Sequence, residues 1–257
     1  MNIFDSAILG ALQGLTEFLP VSSSGHLVLG ESLLGLKVEA LKSFDVAVHV
    51  GTLLAILIYF WKDFLGMITF KKGSRSMLLY IVVGTVPAVL AGVMFEEWID
   101  SVFRGTWVVG LMMMIMGVVF LTGEGVGKIL RSVGGGTHLS WWRALIIGVA
   151  QAIALIPGIS RSGSTIIAGL FQGVEREKAA RFSFLLGAPA IAGAGIWTAL
   201  KGGLGEADIL PMLTGGAVAA VVGFFAIWGL MKFLKKHSLL IFAIYLLIIG
   251  GVAMILL

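Results

Sequence analysis

An all-α integral membrane protein is the fold class the sequence predicts: six transmembrane helices and two re-entrant helical hairpins, forming an inverted-topology repeat whose hairpin tips meet near the midplane. Three observations predict it. Hydrophobic residues make up 58% of the 257-residue chain and charged residues only 12%, about half the charge a soluble domain carries, so a water-solvated globule and a disordered chain are both excluded. Two regions, Ser6–Gly35 and Ser140–Gly173, each hold two short apolar stretches broken by a polar segment rich in glycine, serine and proline. A shift of 138 residues superimposes one half of the chain on the other.

Taken in order, Ser6–Gly35 is the first hairpin. Each of its arms, roughly 10–14 residues long, reaches about halfway across a bilayer whose full crossing needs about 20. Apolar runs at Phe44–Phe60, Met77–Phe95 and Thr106–Leu121 are the first three spans. Ser140–Gly173 is the second hairpin, followed by spans at Phe182–Leu200, Met212–Met231 and Leu239–Leu257. Irregular backbone at mid-membrane depth is tolerated only where it is buried in protein or lines a wet cavity. The shift pairs Gly10 with Gly148, Gln13 with Gln151, Ser22 with Ser160, Ser24 with Ser162, Gly25 with Gly163, Gly35 with Gly173 and Phe44 with Phe182. The chain therefore reads as a single membrane domain, residues 1–257, with internal repeats at about 5–122 and 140–257. One hairpin plus three spans is an odd number of crossings, so the second half enters with opposite orientation.

Charge placement supplies the orientation. Thirteen Lys and Arg residues (Lys62, Lys71, Lys72, Arg75, Lys128, Arg131, Arg143, Arg176, Lys178, Arg181, Lys232, Lys235 and Lys236) fall on one side in this scheme. Lys37, Lys42, Arg104 and Lys201 fall on the other, with acidic Glu96, Glu97, Asp100, Glu206 and Asp208. By the positive-inside rule the basic side is cytoplasmic and both termini lie outside. The net charge of +4 thus reads as membrane orientation and not as nucleic-acid binding. Trp61, Trp98, Trp107, Trp141 and Trp142 mark predicted element ends, as an interfacial belt does. The N-terminus has no basic flank and does not read as a cleaved signal peptide. Absence of cysteine excludes disulfides, thiolate metal sites and cysteine catalysis, and four scattered histidines argue against a multi-histidine zinc site.

Chemistry concentrates at the two interruptions, QGLTEFLPVSSSGH (residues 13–26) and PGISRSGST (residues 157–165). Glu17, His26 and Arg161 are the ionisable groups nearest the predicted midplane, where an unpaired charge is costly. A Glu17–Arg161 salt bridge would meet that cost, but leaves the hydroxyls Ser22, Ser23, Ser24, Ser160, Ser162, Ser164 and Thr165 unexplained. A guanidinium fork, clustered hydroxyls and helix N-termini form a cradle for phosphate, and Gly25, Gly158 and Gly163 allow close backbone approach. His26 is suited to proton transfer at neutral pH. Glu17 can orient His26, activate a nucleophile or ligate a hard cation. Asp45 and His49, at i and i+4, share a helix face, either as a supporting polar pair or as functional groups.

These two segments resemble the signature regions of the bacterial undecaprenyl-diphosphate phosphatase family of the bacitracin-resistance type. The family pattern Glu/Gln-x-x-x-Glu is met by Gln13 and Glu17, Pro-Val-Ser-Ser-x-Gly-His by Pro20–His26, and Pro-Gly-x-Ser-Arg-Ser-x-x-Thr by Pro157–Thr165. The similarity extends to Phe44–Thr52, Pro87 and Phe182–Pro189. Ser24-Gly25-His26 also echoes the loop of type 2 phosphatidic acid phosphatases, but that group's upstream Lys…Arg-Pro element and second histidine have no match. The resemblance implies a polyprenyl diphosphate substrate, removal of its terminal phosphate, recycling of the cell-wall lipid carrier in the bacterial plasma membrane, and dependence on a divalent cation, Mg²⁺ or Ca²⁺. It favours a site opening to the outer face.

The mechanism expected on this basis has Arg161, with Ser160 and Thr165, binding the diphosphate and stabilising the transferring phosphoryl group. Ser22, Ser24, Gly25, Ser162 and Gln13 complete the substrate cradle. Glu17, with Gln13, holds the cation or acts as base. His26 is acid/base or nucleophile, and Ser23 is the rival nucleophile; the sequence leaves both open. The competing class is a polyprenyl-phosphate flippase, since inverted repeats with broken helices also build transporters. An ion channel is disfavoured because a lone buried arginine repels cations. Oligomeric state is not encoded legibly, and a homodimer is compatible with the chain.

Overall fold

The computed structural model describes residues 1–36, 41–71, 73–132, 138–201 and 208–256. Lys37, Lys72, Glu206 and Leu257, and the side chains of Lys42, Asp100 and Arg131, lie outside the described residues. Eleven helices account for the described secondary structure: α1 (Ile3–Phe18), α2 (Ser23–Leu33), α3 (Lys42–Tyr59), α4 (Trp61–Ile68), α5 (Ser74–Phe103), α6 (Thr106–Ser132), α7 (Trp141–Ile153), α8 (Arg161–Leu170), α9 (Arg176–Leu200), α10 (Ile209–Leu234) and α11 (Leu240–Leu256). No strand occurs among the described residues. Helices α5, α6, α9 and α10 are long and apolar enough to cross a membrane, and α3 with α4 makes a fifth candidate bent by 76°. Helices α7 and α11 are shorter apolar helices.

The boundaries depart from the sequence reading where charge was taken as a stop. Helix α6 continues past Leu121 to Ser132, because Glu124, 5% exposed, is neutralised by a forked Arg176 and accepts the backbone N–H of Leu239. Helix α5 runs through Pro87 and past Phe95 to Phe103. The run Phe44–Phe60 is not followed by a loop: α4 leaves α3 at Phe60 and carries Lys62 and Asp63. The five tryptophans of the expected belt are all half exposed.

Close backbone contacts set the helix directions. Gly10 of α1 lies against Gly215 of α10, and Gly14 against Ala219 and Gly223, so α1 and α10 run parallel. Gly51 of α3 meets Gly216, and Ala55 meets Gly223, adding α3 in the same direction. Helix α9 runs opposite to α3, with Gly195 near Val46 and Val50 and Arg181 bonded to Asp63. Helices α6 and α11 are antiparallel, Gly110 facing Gly250 and Gly117 facing Ala243. Gly148 of α7 packs on Gly84 of α5. Helix α2 folds back along α1, with Gly30 on Leu9 and Leu12, and α8 folds back along α7, with Gly169 near Ile147. Side chains at these crossings are small, which lets backbones approach and gives apolar helices the packing contact that lipid cannot better.

Candidate active site

The site lies where the turn between α1 and α2 meets the turn between α7 and α8. Both returning helices start there, and both starts need caps, because the first N–H groups of a helix have no partner within it. Ser22 caps α2 by accepting from Gly25 N at 3.3 Å, and Ser160 caps α8 by accepting from Gly163 N at 3.0 Å. The first helical residues are then Ser23 and Arg161. The two turns are tied together by Ser162, whose Oγ donates to the Leu19 carbonyl at 3.3 Å.

Glu17, at the end of α1 and 5% exposed, is the centre of the cluster. Its Oε1 accepts from Arg161 Nη2 at 2.7 Å. Its Oε2 accepts from Gln13 Nε2 at 2.9 Å and from Ser23 Oγ at 2.5 Å. The Arg161 guanidinium also donates through Nη1 to the Ser183 carbonyl of α9 at 3.2 Å, and it lies against Gly187, where a Cβ would stand 1.8 Å from Nη1. The structure therefore brings together Glu17, Gln13, Ser23 and Arg161. A carboxylate accepting a short bond from a hydroxyl, with a guanidinium on its other oxygen, has the geometry that a base–nucleophile pair beside an anion-binding fork requires.

His26 is placed elsewhere. Its Nδ1 bonds the Ser22 carbonyl at 2.8 Å and its Nε2 bonds Tyr245 Oη of α11 at 2.7 Å. The imidazole beside Glu17 is His49 of α3, with Nε2 3.8 Å from Oε2 and Nδ1 on the Asp45 carbonyl at 2.7 Å. Asp45 in turn pairs with Arg104 at 3.2 Å. His49 is 31% exposed, so this polar face of α3 leads from the buried carboxylate toward the end of the bundle where α1, α3 and α10 begin.

The remaining hydroxyls have mostly structural bonds. Thr165 Oγ1 lies 2.6 Å from Ser183 Oγ and also bonds the Arg161 carbonyl. Ser160 and Ser162 hydroxyls are 3.3 Å apart, and Ser164 faces Met116 Sδ. Ser24 and Gly25 lie in the first turn of α2, Ser24 half-buried and Gly25 buried. Sequence reasoning singled out His49 and Asp45 but not their place beside Glu17; Ser183, Gly187 and Tyr245 were missed. The run Phe182–Pro189 was the available signal for two of these, and Tyr245 had none.

A resident metal needs a ready set of donors. Among the described residues no group of three or more His, Asp or Glu could hold one. What the site offers is the Glu17 carboxylate and Gln13 Oε1, which is buried and has no hydrogen-bond partner among the described residues. Two hard oxygens fit a cation held mainly by substrate phosphates, the usual manner for Mg²⁺.

The family model described as bacitracin resistance protein BacA matches residues 6–252. A protein of Halothermothrix orenii named undecaprenyl-diphosphatase is 43% identical, covering 100% of this chain and 98% of its own length. Relatives of the same name from Thermodesulfovibrio yellowstonii and Methanosphaera stadtmanae are 46% and 39% identical, covering 95% and 100% of this chain and 93% and 98% of their own. With nearly its whole length matched, the chain belongs to the bacitracin resistance protein BacA family.

Proposed function

We propose that this multi-pass membrane protein is an undecaprenyl-diphosphate phosphatase, hydrolysing the terminal phosphate of its substrate to leave undecaprenyl phosphate and inorganic phosphate. The single observation that carries the reading is the 2.5 Å bond from Ser23 Oγ to Glu17 Oε2, with Arg161 on the other carboxylate oxygen. A lipid carrier would need the guanidinium but has no use for an activated hydroxyl, so a flippase is not favoured.

Ser23 Oγ attacks the terminal phosphorus and passes its proton to Glu17. The bond from that phosphorus to the bridging oxygen breaks, and undecaprenyl phosphate leaves. Water then attacks the phosphoserine, dihydrogen phosphate departs with both water protons, and the Ser23 oxygen takes back the proton held by Glu17. A guanidinium has five N–H donors, and the bonds to Glu17 and Ser183 use two; the others meet the phosphoryl oxygens as charge spreads over them. Helices α2 and α8 both begin beside this cluster, and helix N-termini favour anions. Ser22, Ser160, Ser162 and Thr165 act by fixing those turns. A divalent cation, Mg²⁺ or Ca²⁺, arriving on the diphosphate would be held by Glu17 and Gln13 Oε1 and would neutralise phosphate charge.

The finer architecture belongs to the same proposal. Helices α1–α2 and α7–α8 are re-entrant hairpins entering from opposite faces, within six spans and two inverted repeats. Supporting this, both pairs fold back on themselves, and residues 138 apart, Ser22 and Ser160, play the same capping role. The polar face of α3 supports a site opening on the less basic, outer side.

The test is Ser23→Ala, assayed for phosphate release from undecaprenyl diphosphate in detergent and for lipid movement in sealed vesicles. Loss of the nucleophile predicts a drop of roughly 10³-fold or more, with phosphoserine trapped at Ser23 in the parent protein by acid quench and mass spectrometry. Phosphohistidine at His26, or more than about a tenth of the parent rate in Ser23→Ala, overturns the assignment. Lipid movement without phosphate release would make the protein a flippase.

A further inference from the structure

We propose that His26 is a positioning residue: it holds Ser22 in the left-handed turn that presents Ser23 to Glu17, and Tyr245 of the last helix fixes its ring. This rests on the phosphatase reading and assigns the histidine of the signature segment a role other than proton transfer.

Ser22 adopts φ 71° and ψ 89°, a region that residues with a Cβ enter only when their surroundings hold them there. Its side chain is already used as the cap of α2. Its carbonyl accepts from the His26 backbone N at 3.1 Å and from His26 Nδ1 at 2.8 Å. The peptide plane that this carbonyl fixes is the one linking Ser22 to Ser23, so its direction decides where the Ser23 hydroxyl points.

The hydrogen-bond pattern also fixes the ring's protons. A carbonyl only accepts, so Nδ1 carries hydrogen. The neutral ring then has its lone pair on Nε2, and the Tyr245 hydroxyl at 2.7 Å donates to it. The rings stack with 8° between their planes. Both nitrogens of a ring only 7% exposed are thereby engaged, and neither bonds Glu17, Ser23 or Arg161. An acid/base catalyst must reach the proton it transfers. The imidazole that reaches the carboxylate is His49.

The experiment compares His26→Asn, His26→Ala and Tyr245→Phe in the full-length protein. Asparagine places an amide N–H near the position of Nδ1 and cannot serve as an acid or base. Positioning predicts that His26→Ala loses more than about 10²-fold in phosphate release, while His26→Asn stays within about tenfold of the parent and keeps its pH–rate shape. Tyr245→Phe, with the ring stack kept, falls between them. In the parent protein, ¹⁵N imidazole resonances assigned through His26→Asn should show the Nδ1–H tautomer at pH 7.5. Equal inactivity of His26→Asn and His26→Ala, with both melting in detergent like the parent, overturns the proposal, as does an Nε2–H tautomer. A parent protein that releases no phosphate would refute the phosphatase reading alone, and the tautomer would still decide the placement of His26.

Discussion

Arg161 sits where no side chain but glycine could face it. Gly187 and Arg161 come from different helices, and a methyl group on Gly187 would overlap the guanidinium. Because the atom displaced is the far end of a flexible side chain, Gly187→Ala should fold and push Arg161 off its place. A shift of about 1 Å at a catalytic group can cost about 10²-fold, so phosphate release should fall by that order while the melting temperature in detergent changes little. Parent-like activity in Gly187→Ala would mean that the guanidinium position is not critical. Arg161→Ala is a poorer probe, because it leaves Glu17 buried without its cation, a loss of about 3–5 kcal/mol that mixes folding with chemistry. At this scale the sequence made Glu17 and Arg161 legible together, since two charges in broken apolar segments must find each other. His49 was not legible as their neighbour: its spacing from Asp45 gives a shared helix face, but not what that face meets. The hydroxyls carry a second demand as well. Helices that start in the middle of a bundle need Ser22 and Ser160 as caps, a demand that looks the same in sequence as a phosphate cradle.

Helix packing turns these residues into a site, and α10 is the element on which two of its sides are built. Helix α1, carrying Gln13 and Glu17, and helix α3, carrying His49, both lie on α10 through backbone-close glycine contacts. A Cβ on Gly10 would stand 2.4 Å from the Gly215 carbonyl oxygen, and one on Gly51 would stand 2.1 Å from that of Gly216. Backbone cannot yield as a side chain can. Gly10→Val should therefore separate α1 from α10, costing about 1–3 kcal/mol by overpacking, and withdraw Glu17 from Arg161. The expected outcome is a lower melting temperature together with lost activity, in contrast to Gly187→Ala. Unchanged melting in Gly10→Val would show that this seam does not hold α1. The existence of the apolar helices was readable from composition alone. Their ends were less so, because Glu124 marks a stop only if its partner Arg176 is unknown, and the 76° bend into α4 follows from no proline or glycine at Phe60.

For the molecule as a whole, the proposed inverted arrangement makes a demand that no single helix makes: the two folded-back pairs must be reached from opposite sides of the membrane. Leu34, at the end of α2, and Phe171, at the end of α8, are counterparts within one residue of the 138-residue shift, and both are exposed. The chain has no cysteine, so a cysteine introduced at either position is the unique thiol reporter. In intact cells a membrane-impermeant maleimide should label Leu34→Cys directly and Phe171→Cys only after permeabilisation, since the basic residues Arg176, Lys178 and Arg181 follow α8 closely and basic segments stay in the cytoplasm. Labelling of both from outside would place the two pairs on one face. That outcome would overturn the inverted repeat, in which one hairpin and three spans per half put the two pairs on opposite faces. Labelling in the reversed sense would keep the repeat but turn the polar face of α3 toward the cytoplasm, so the diphosphate would have to approach from inside.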